Sequence, residues 1–296
     1  MPRSRLLLAG GFLALVLSPD ARAQPATSTA PTERVILITG STDGLGREVA
    51  LGLARPGTHV IVHGRNRERG EAVVRAIEEA GGSARFYRAD LADLNQVRDF
   101  ADAVLRDHAR LDVLVNNAGI WLEGEDRQLS ANGHELHFAV NYLSHFLLTR
   151  SLLPLLQHSA PARIVNVASG AQQAIDFDDV MLTRRYSAGR GYAQSKLAQI
   201  LFTFDLAAEL EGTGVTVNAL HPATMMNTSM VLSRGARARS TVEEGAAAVL
   251  NLIESLEIGS GRFFDGRRPA LAHAQAYDAA ARARLRRVSE TLTDGG

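Results

Sequence analysis

The sequence predicts an α/β fold of the Rossmann type: a single domain built on a doubly wound parallel β-sheet. From position 34 onward, short and continuously apolar β-branched runs alternate with longer amphipathic stretches. Such runs indicate strands buried on both faces, and helices between them indicate a parallel sheet. A chain of 296 residues without an internal repeat suits one domain of this kind.

The alternation assigns the elements in chain order. Strands are predicted at Val35–Ile38, His59–Val62, Ala84–Arg88, Asp112–Val115, Arg163–Val167, Val215–Leu220 and near Arg262–Phe264. Helices are predicted from the first glycine-rich turn to Ala54, and at Arg67–Ala80, Leu94–His108, Gly133–Leu156, Tyr192–Glu211 and Val242–Leu256. Gly81 and Gly82 supply the stop signal of the second helix.

The N-terminal segment differs in composition from the rest. In residues 1–23, two arginines precede an apolar stretch at 6–17, and Ala21-Arg22-Ala23 offers a small-x-small cleavage site. This pattern is typical of a secretory signal peptide and predicts export to the periplasm. The alternatives are a start codon chosen upstream of a cytoplasmic protein, or an uncleaved membrane anchor. Residues 24–33, rich in Pro, Ala, Ser and Thr, are interpreted as a linker.

Residues 34–268 form the predicted Rossmann-type domain, and 269–296 form a C-terminal helical extension. The extension is rich in Ala and Arg, with Arg282, Arg284, Arg286 and Arg287 close together. Such a stretch is usually a solvated helix face, which is the interpretation favoured here. Contact with a membrane or a partner is the alternative.

Composition excludes several function classes. Thirty-two basic residues balance 32 acidic ones, so no global field attracts nucleic acid. The absence of cysteine excludes thiolate catalysis, iron–sulfur clusters and thiolate zinc sites. No metal site is expected.

The turn after the first strand reads Thr39-Gly40-Ser41-Thr42-Asp43-Gly44-Leu45-Gly46. Glycines between a strand and a helix let bare backbone approach a pyrophosphate, which the helix N-terminus attracts. Three glycines alone often form only a tight turn, but their place between strand and helix strengthens the interpretation. We therefore predict a dinucleotide here, bound by Gly40, Ser41, Thr42, Gly44, Leu45 and Gly46.

The end of the second strand bears on the choice of dinucleotide. Folds that prefer NAD commonly place an acidic residue there, which repels a 2′-phosphate. This chain has His63-Gly64-Arg65-Asn66 instead, and Arg47 adds a second cation. A guanidinium can grip a phosphate with two hydrogen bonds. Arg65 and Arg47 thus predict NADP rather than NAD, the alternative being that they are a pair of surface arginines. Asn66 is placed beside Arg65 in the predicted cofactor site.

Two further strand ends contribute to the predicted cofactor site. Asp90 and Leu91 follow the third strand, where the carboxylate can bind the adenine amine. Asn117, Ala118 and Gly119 follow the fourth, where small residues allow close approach. Asn117 has a structural alternative, since its side chain can simply hold the turn.

Tyr192 and Lys196 lie four residues apart, on one face of the predicted helix. A phenol has a pKa of about 10, and a nearby cation lowers the pKa. A more acidic phenol suits proton exchange with the oxygen of an alcohol or a carbonyl. The spacing alone is common in helices.

Asn141 and Ser169 join these motifs in order and spacing. In this combination the chain resembles the short-chain dehydrogenase/reductase family, over about Arg34 to Phe264. The resemblance implies that Ser169 binds the substrate oxygen and Tyr192 transfers the proton. It also implies that Lys196, besides tuning Tyr192, holds the cofactor ribose, and that Asn141 positions a relay water. The structural alternatives are a turn or cap for Ser169 and a helix brace for Asn141.

Two segments resemble the retinol-dehydrogenase-like branch in particular: Asn141–Thr149 and Ser195–Ala198. So does the long interval between Ser169 and Tyr192, which is interpreted as a loop beside the substrate entrance. One departure concerns the loop after the sixth strand, where the family usually has Pro-Gly and this chain has Pro222-Ala223-Thr224.

The loop is still expected to contact the cofactor through Pro222 and Thr224, although the hydroxyl that meets the nicotinamide can be that of Thr224 or Thr228. Ala223 would be unfavourable if its position required a positive φ.

The resemblance implies an NADP(H)-dependent oxidoreductase that interconverts an alcohol and a carbonyl by hydride transfer. The alternatives are a catalytically idle NADP(H)-binding sensor and a related chemistry such as epimerisation. An apolar, Met-rich set of loop residues suits a hydrophobic small-molecule substrate, although several of them can equally be core residues: Trp121, Leu122, Met225, Met226, Met230, Val231 and Leu232. A homo-oligomer and membrane contact remain open.

Overall fold

The computed structural model describes residues 33–124, 126–233 and 235–294. Its eight strands are β1 (Arg34–Ile38), β2 (Thr58–Gly64), β3 (Ser83–Arg88), β4 (Val113–Asn116), β5 (Ala162–Val167), β6 (Val215–His221), β7 (Arg262–Asp265) and β8 (Arg268–Ala270). They form one sheet in the order β3-β2-β1-β4-β5-β6-β7-β8. The first seven are parallel and β8 is antiparallel to β7. The predicted doubly wound parallel sheet is confirmed.

The helices are α1 (Gly44–Gly52), α2 (Arg67–Glu79), α3 (Leu94–Asp107), α4 (Ser144–His158), α5 (Ala188–Glu209), α6 (Ser229–Leu232), α7 (Val242–Glu254) and α8 (Ala279–Asp294). A π-helical segment, Phe138–Leu143, leads into α4, and a short 3₁₀ turn at Ala274–Tyr277 precedes α8.

Both faces of the sheet are covered, which explains the continuously apolar strands. In β1, Val35 and Leu37 point into a core shared with α3, α4 and α5. Ile36 and Ile38 point to the opposite face, where α1, α2 and α7 pack. The period of two along a strand thus divides one apolar run between two cores.

Polar residues at the starts of the helices explain where several of them begin. Side chains that accept a backbone N–H from the first turn satisfy groups that have no partner within the helix. Five helices have such an N-cap: Asp43, Asn66, Asp93, Ser187 and Thr241.

The predicted helix Gly133–Leu156 is wrong at its start. Gly133 has a φ of +79°, a conformation that an α-helix does not contain. The helical segment begins at Leu136, directly after Glu135, whose carboxylate accepts the backbone N–H groups of His137 and Phe138. The early glycine therefore belongs to a turn.

Two further boundaries differ from the prediction. The helix predicted from Tyr192 begins at Ala188, because the hydroxyl of Ser187 accepts the N–H of Arg190 and starts the helix one turn earlier. The boundary predicted at residue 268 is crossed by β8.

The C-terminal extension is not only a solvated face. Helix α8 packs on α5 through Ala281 and Leu285, which are buried. Two of its four clustered arginines bind carboxylates of the domain, Arg284 that of Asp178 and Arg286 that of Asp205, and Arg282 binds the carbonyl of Ala276 in the turn before α8. The interpretation as a merely solvated face was therefore wrong.

The predicted signal peptide and nearly all of the predicted linker, up to residue 32, lie outside the described residues. Within the described ranges, none of the helices combines the length and apolar character that crossing a membrane requires.

Candidate active site

The strand order reverses between β1 and β4, and in such sheets ligands bind at the carboxyl ends of the strands beside this point. The glycine turn and the Asn117–Gly119 turn meet there. A Cβ on Gly40, whose φ is +65°, would lie 2.9 Å from the Cα of Ala118. A Cβ on Gly46 would overlap the Asn117 amide and the Gly40 carbonyl. Both positions require glycine because two backbone segments approach closely.

Thr39 and Asn117 hold these turns together. The hydroxyl of Thr39 accepts the backbone N–H groups of Asn117 and Ala118, at 2.9 and 3.0 Å. The amide of Asn117 donates to the carbonyls of Thr39 and Gly40, at 2.8 and 3.3 Å. The Asn117 side chain therefore has the turn-holding role that was its structural alternative.

The other residues of the glycine turn take different places. The buried hydroxyl of Ser41 donates to the Ile38 carbonyl and accepts the N–H of His63, both within the protein. Thr42 is partly exposed and lies against Gly64, where a Cβ would be 2.6 Å from its hydroxyl. Leu45 is buried in the core beneath α1.

At the far end of the predicted cofactor site, Arg65 and Asp90 are brought together. Their side chains form an ion pair of 3.8 Å, and 69% of the Arg65 side chain is exposed. Asn66 caps α2 by accepting the N–H of Arg69 at 2.9 Å. Leu91 is buried. The exposed guanidinium, rather than Asn66 or Leu91, is thus the group free to turn toward a phosphate.

Tyr192 and Lys196 lie in the first turns of α5. The ammonium of Lys196 is 5.8 Å from the ring centroid of Tyr192. Two other rings contact the phenol: Trp121 at a centroid distance of 5.6 Å, and His137 edge-on at 6.3 Å.

Lys196 is the only lysine in the sequence. Its ammonium is buried and donates to the Val167 carbonyl at 2.9 Å and to Gln199 Oε1 at 3.0 Å. Because burial penalises the charged form, the pKa of Lys196 falls from 10.5 to about 7. The charge beside Tyr192 therefore depends on pH near neutrality.

The chain has clear relatives among known proteins. A family model for the short chain dehydrogenases matches residues 34–239. The chain belongs to the short-chain dehydrogenase family. Retinol dehydrogenase 11 of Homo sapiens is 37% identical over 96% of this chain and 95% of its own length. The resemblance to the retinol-dehydrogenase-like branch is confirmed, and the protein is an oxidoreductase that interconverts alcohols and carbonyls with NAD or NADP.

Solved structures agree with this assignment. An uncharacterised protein from Mycobacterium paratuberculosis is 33% identical with a TM-score of 0.74, over 89% of this chain and 94% of its own. A short chain dehydrogenase from Burkholderia cenocepacia, solved in complex with NADP, is 30% identical with a TM-score of 0.64, over 79% and 96%.

Ser169 follows β5 in this dehydrogenase and is buried. Its hydroxyl accepts the N–H of Ala171 at 3.1 Å, and its carbonyl accepts the amide of Gln172 at 3.0 Å. The turn predicted as the structural alternative is therefore present. Because the Ser169 hydroxyl accepts a hydrogen bond in this turn, its own proton is left for another acceptor.

Asn141 is fully buried in the π-helical segment, a type of distortion often found at functional sites. Its side chain accepts the N–H of Ile120 at 2.7 Å and donates to the Ile120 carbonyl at 3.1 Å. It also donates to the Ser195 hydroxyl at 2.9 Å. The side chain thus joins the loop after β4 to α5, near the Tyr192–Lys196 pair.

One connecting residue was not identified from the sequence as part of the site. The ring of His145 contacts the Asn141 carbonyl through Nδ1 at 3.1 Å and the Thr39 hydroxyl through Nε2 at 3.0 Å. Burial, together with the charge of Lys196, lowers the pKa of His145 to about 3. The neutral ring therefore links the glycine turn to the catalytic end. In the sequence, the one feature that pointed to His145 was its place in the segment Asn141–Thr149, which resembles the retinol-dehydrogenase-like branch.

In the loop after β6, Ala223 does not have the positive φ that would be unfavourable for an alanine. The positive φ in this loop belongs to Met225, at 51°, and not to Ala223. The Thr224 hydroxyl is 3.0 Å from Nε2 of His221. By contrast, the methyl of Thr228 would be 3.3 Å from a Cβ on Gly44, so Thr228 covers the glycine turn. Pro222 is buried.

The apolar loop residues that were predicted to suit a hydrophobic substrate divide into two groups. Met226 packs into the core, where a Cβ on Gly245 would overlap its sulfur, and Val231 is buried. Leu232 is exposed, and Trp121 lies beside Tyr192. The core alternative therefore applies to part of the set.

The loop between β5 and α5 is tied to the C-terminal extension. Gln275 accepts the Ile175 N–H at 2.7 Å and donates to the Ile175 carbonyl at 3.1 Å. Gln172, which binds the Ser169 carbonyl, also accepts the N–H of His273 at 2.7 Å. We call Gln172, Ile175, His273 and Gln275 the loop clamp.

Across the described part of the chain, no three His, Asp or Glu side chains come together as a group that could hold a metal ion.

Proposed function

We propose that this dehydrogenase is NADP(H)-dependent, reduces or forms a hydrophobic carbonyl compound, and uses Tyr192 as its general acid and base. The contact that carries the proposal is the pairing of Tyr192 with a buried lysine whose ammonium lies 5.8 Å from the phenol ring. A positive charge at this distance favours the phenolate, which assists proton transfer.

The residues present fit a dinucleotide. At Gly40 and Gly46 the backbone is bare because a Cβ would strike a neighbouring segment, and α1 starts directly beside them. We assign the pyrophosphate to this turn, the nicotinamide end to Thr228 and Lys196, and the adenosine end to Arg65 and the partly exposed Asp90. When bound, the dinucleotide supplies the hydride to the carbonyl carbon or accepts it from the alcohol.

The chain's own groups handle the oxygen. In the reducing direction the Tyr192 hydroxyl donates its proton to the substrate oxygen, while the Ser169 hydroxyl donates a hydrogen bond to the same atom. Lys196 stabilises the phenolate that remains. Asn141 positions the water that returns the proton, alongside its bonds to Ile120 and Ser195.

NADP rather than NAD is favoured by charge at the end of β2. Arg65 is largely exposed there, and its partner Asp90 is 3.8 Å away, a separation at which a surface pair contributes little. The Burkholderia cenocepacia structure, solved with NADP, is consistent with this choice. A hydrophobic substrate is supported by Trp121 beside Tyr192 and by the relative's name, retinol dehydrogenase.

The test is NADPH consumption with a panel of aldehydes and ketones. We expect turnover by the wild type and a loss of about a hundredfold or more in kcat/KM for Tyr192→Phe, since general acid–base catalysis contributes at least that much. NADPH affinity should change little. Tyr186→Phe, the same change in the neighbouring loop, is the matched control. Tight NADPH binding by the wild type without turnover of any substrate would favour a sensor instead.

A further inference from the structure

Two polar residues that the proposed mechanism does not use lie beside Tyr192. Glu135 and His137 are only 1% and 0% exposed. Burying such groups is costly unless their polar atoms are hydrogen-bonded. Their partners therefore indicate what the pair does.

Glu135 accepts three hydrogen bonds. Its Oε1 accepts the backbone N–H of His137 at 3.1 Å and the ring Nδ1–H of the same residue at 2.8 Å. Its Oε2 accepts the N–H of Phe138 at 2.8 Å. The carboxylate thus starts the π-helical segment and orients the imidazole.

The other ring nitrogen of His137 holds a loop. Nε2 accepts the backbone N–H of Leu122 at 3.0 Å. A backbone N–H can only donate, so Nε2 carries no proton and the proton is on Nδ1, where Glu135 requires it. The bond to Glu135 therefore fixes the tautomer that binds Leu122.

One helical turn further on, Asn141 binds the same loop at Ile120, at 2.7 and 3.1 Å. Trp121 is consequently fixed on both sides, by Asn141 before it and by His137 after it. Its ring lies 5.6 Å from that of Tyr192. The first turn of α5 packs directly on the pair, because a Cβ on Gly191 would be 2.8 Å from His137 Nδ1.

We infer that the Glu135–His137 pair is a positioning element that holds Trp121 against Tyr192, and that Trp121 is a specificity-determining wall for apolar substrates. The second half of this inference rests on the proposed function. A bulky apolar substrate whose oxygen meets Tyr192 would extend along the indole, whereas a short one would not reach it.

The anchoring can be tested without turnover, because Trp121 is the only tryptophan. The variants are His137→Leu, which removes both ring hydrogen bonds, and His137→Gln, which can accept from Leu122 and donate to Glu135. His134→Gln is the matched control outside the pair. We expect His137→Leu to shift the emission of Trp121 to longer wavelength and to raise its quenching by acrylamide about twofold or more, as the indole leaves its partly buried place. His137→Gln and His134→Gln should resemble the wild type.

The specificity is tested with decanal and propanal as substrates. For His137→Leu we expect KM for decanal to rise about tenfold, as for a lost buried hydrogen bond, while kcat/KM for propanal and NADPH affinity change less than about threefold. Trp121→Ala leaves the pair intact and should lose the same discrimination. If His137→Leu does not fold, Trp121→Ala provides the specificity test. The anchoring is then tested by the emission of Trp121 in His137→Gln.

Unchanged emission and quenching in His137→Leu would overturn the anchoring, as would exposure of the indole in a folded His137→Gln. If the ratio of kcat/KM for decanal to kcat/KM for propanal in Trp121→Ala equals that of the wild type, the specificity role of Trp121 is overturned. Absence of turnover by the wild type with every aldehyde would count against the proposed function, while the fluorescence result would still decide the anchoring.

Discussion

Arg65 illustrates how a single exposed side chain can select a cofactor. Its guanidinium lies just beyond β2, paired with Asp90 at 3.8 Å. Because such a pair contributes little, the guanidinium can reorient toward a phosphate at small cost. A phosphate offers stronger, charge-assisted hydrogen bonds.

We expect Arg65→Asp to weaken NADPH binding by about tenfold to a hundredfold, the effect of one or two charge-assisted bonds, and NADH binding much less. Dissociation constants from fluorescence titration measure both. Arg67→Asp, at a residue of similar exposure that pairs with Glu71 on α2, is the control. Equal losses for the two cofactors would contradict the assignment to NADP.

Lys196 offers a direct measurement because the chain has no other lysine. Protein labelled with ¹³C at the lysine ε-carbon should give one side-chain signal, which we expect to titrate near pH 7 because burial lowers the pKa to about that value. A titration midpoint at the usual pKa of a lysine would contradict the buried position of the ammonium.

The lowered pKa of Lys196 also makes the free energy of unfolding depend on pH. Between about pH 7 and 10.5 the unfolded chain binds a proton at Lys196 that the folded chain does not, so stability from this residue rises with pH across that window. In Lys196→Met this contribution is absent. The free energy of unfolding of the wild type relative to the variant should therefore increase from pH 7 to 10.

At the scale of elements, the segment between β5 and α5 owes its conformation to partners distant in the chain. Gln275 binds both backbone groups of Ile175, although 100 positions separate them. Within the segment, Asp179 accepts bonds from Thr183 and Arg184. Burial acts to raise the pKa of Asp179, but these bonds outweigh it and lower the pKa to about 2. The loop is thus held internally and by the loop clamp.

Gln275→Ala should loosen this loop next to Ser169 and lower kcat/KM by about threefold to tenfold, with NADPH affinity unchanged, because a typical hydrogen bond contributes about 0.5–1.5 kcal/mol. Faster hydrogen exchange at 170–187 would accompany the loss. Gln157→Ala, at an exposed position of α4, is the control. Wild-type exchange in Gln275→Ala would show that the loop does not need the clamp.

At the scale of the whole molecule, the C-terminal helix is part of the domain core. The described residues from Glu33 onward form one compact unit. Helix α8 covers α5, and its Ser289 binds the hydroxyl of the buried Tyr142 at 2.7 Å. Arg286 binds Asp205 with two hydrogen bonds, of 2.7 and 2.6 Å.

Leu285 and Leu271 provide a matched pair for testing this packing, since they are 1% and 87% exposed. We expect Leu285→Ala to lower the free energy of unfolding in urea by about 2–4 kcal/mol, the usual cost of truncating a buried leucine. Leu271→Ala should cost less than about 0.5 kcal/mol. Similar values for both would mean that α8 contributes little to the folded domain.

The sequence by itself determined the sheet, the order of the elements, the family and the positions where backbone must be bare. These features depend on local pattern: continuous apolar runs, the amphipathic stretches between them, and glycines such as Gly40 and Gly46. The catalytic roles of Ser169, Tyr192, Lys196 and Asn141 stay predictions.

Only the tertiary structure decided which polar atoms are paired. Thr39 meets His145 across 106 positions, the start of the helix near Asn141 depends on Glu135, and Arg284 and Arg286 of α8 bind carboxylates outside that helix. The physical reason is that hydrogen-bond partners distant in the chain leave no periodic signal, whereas burial on a strand or helix face repeats at a fixed interval.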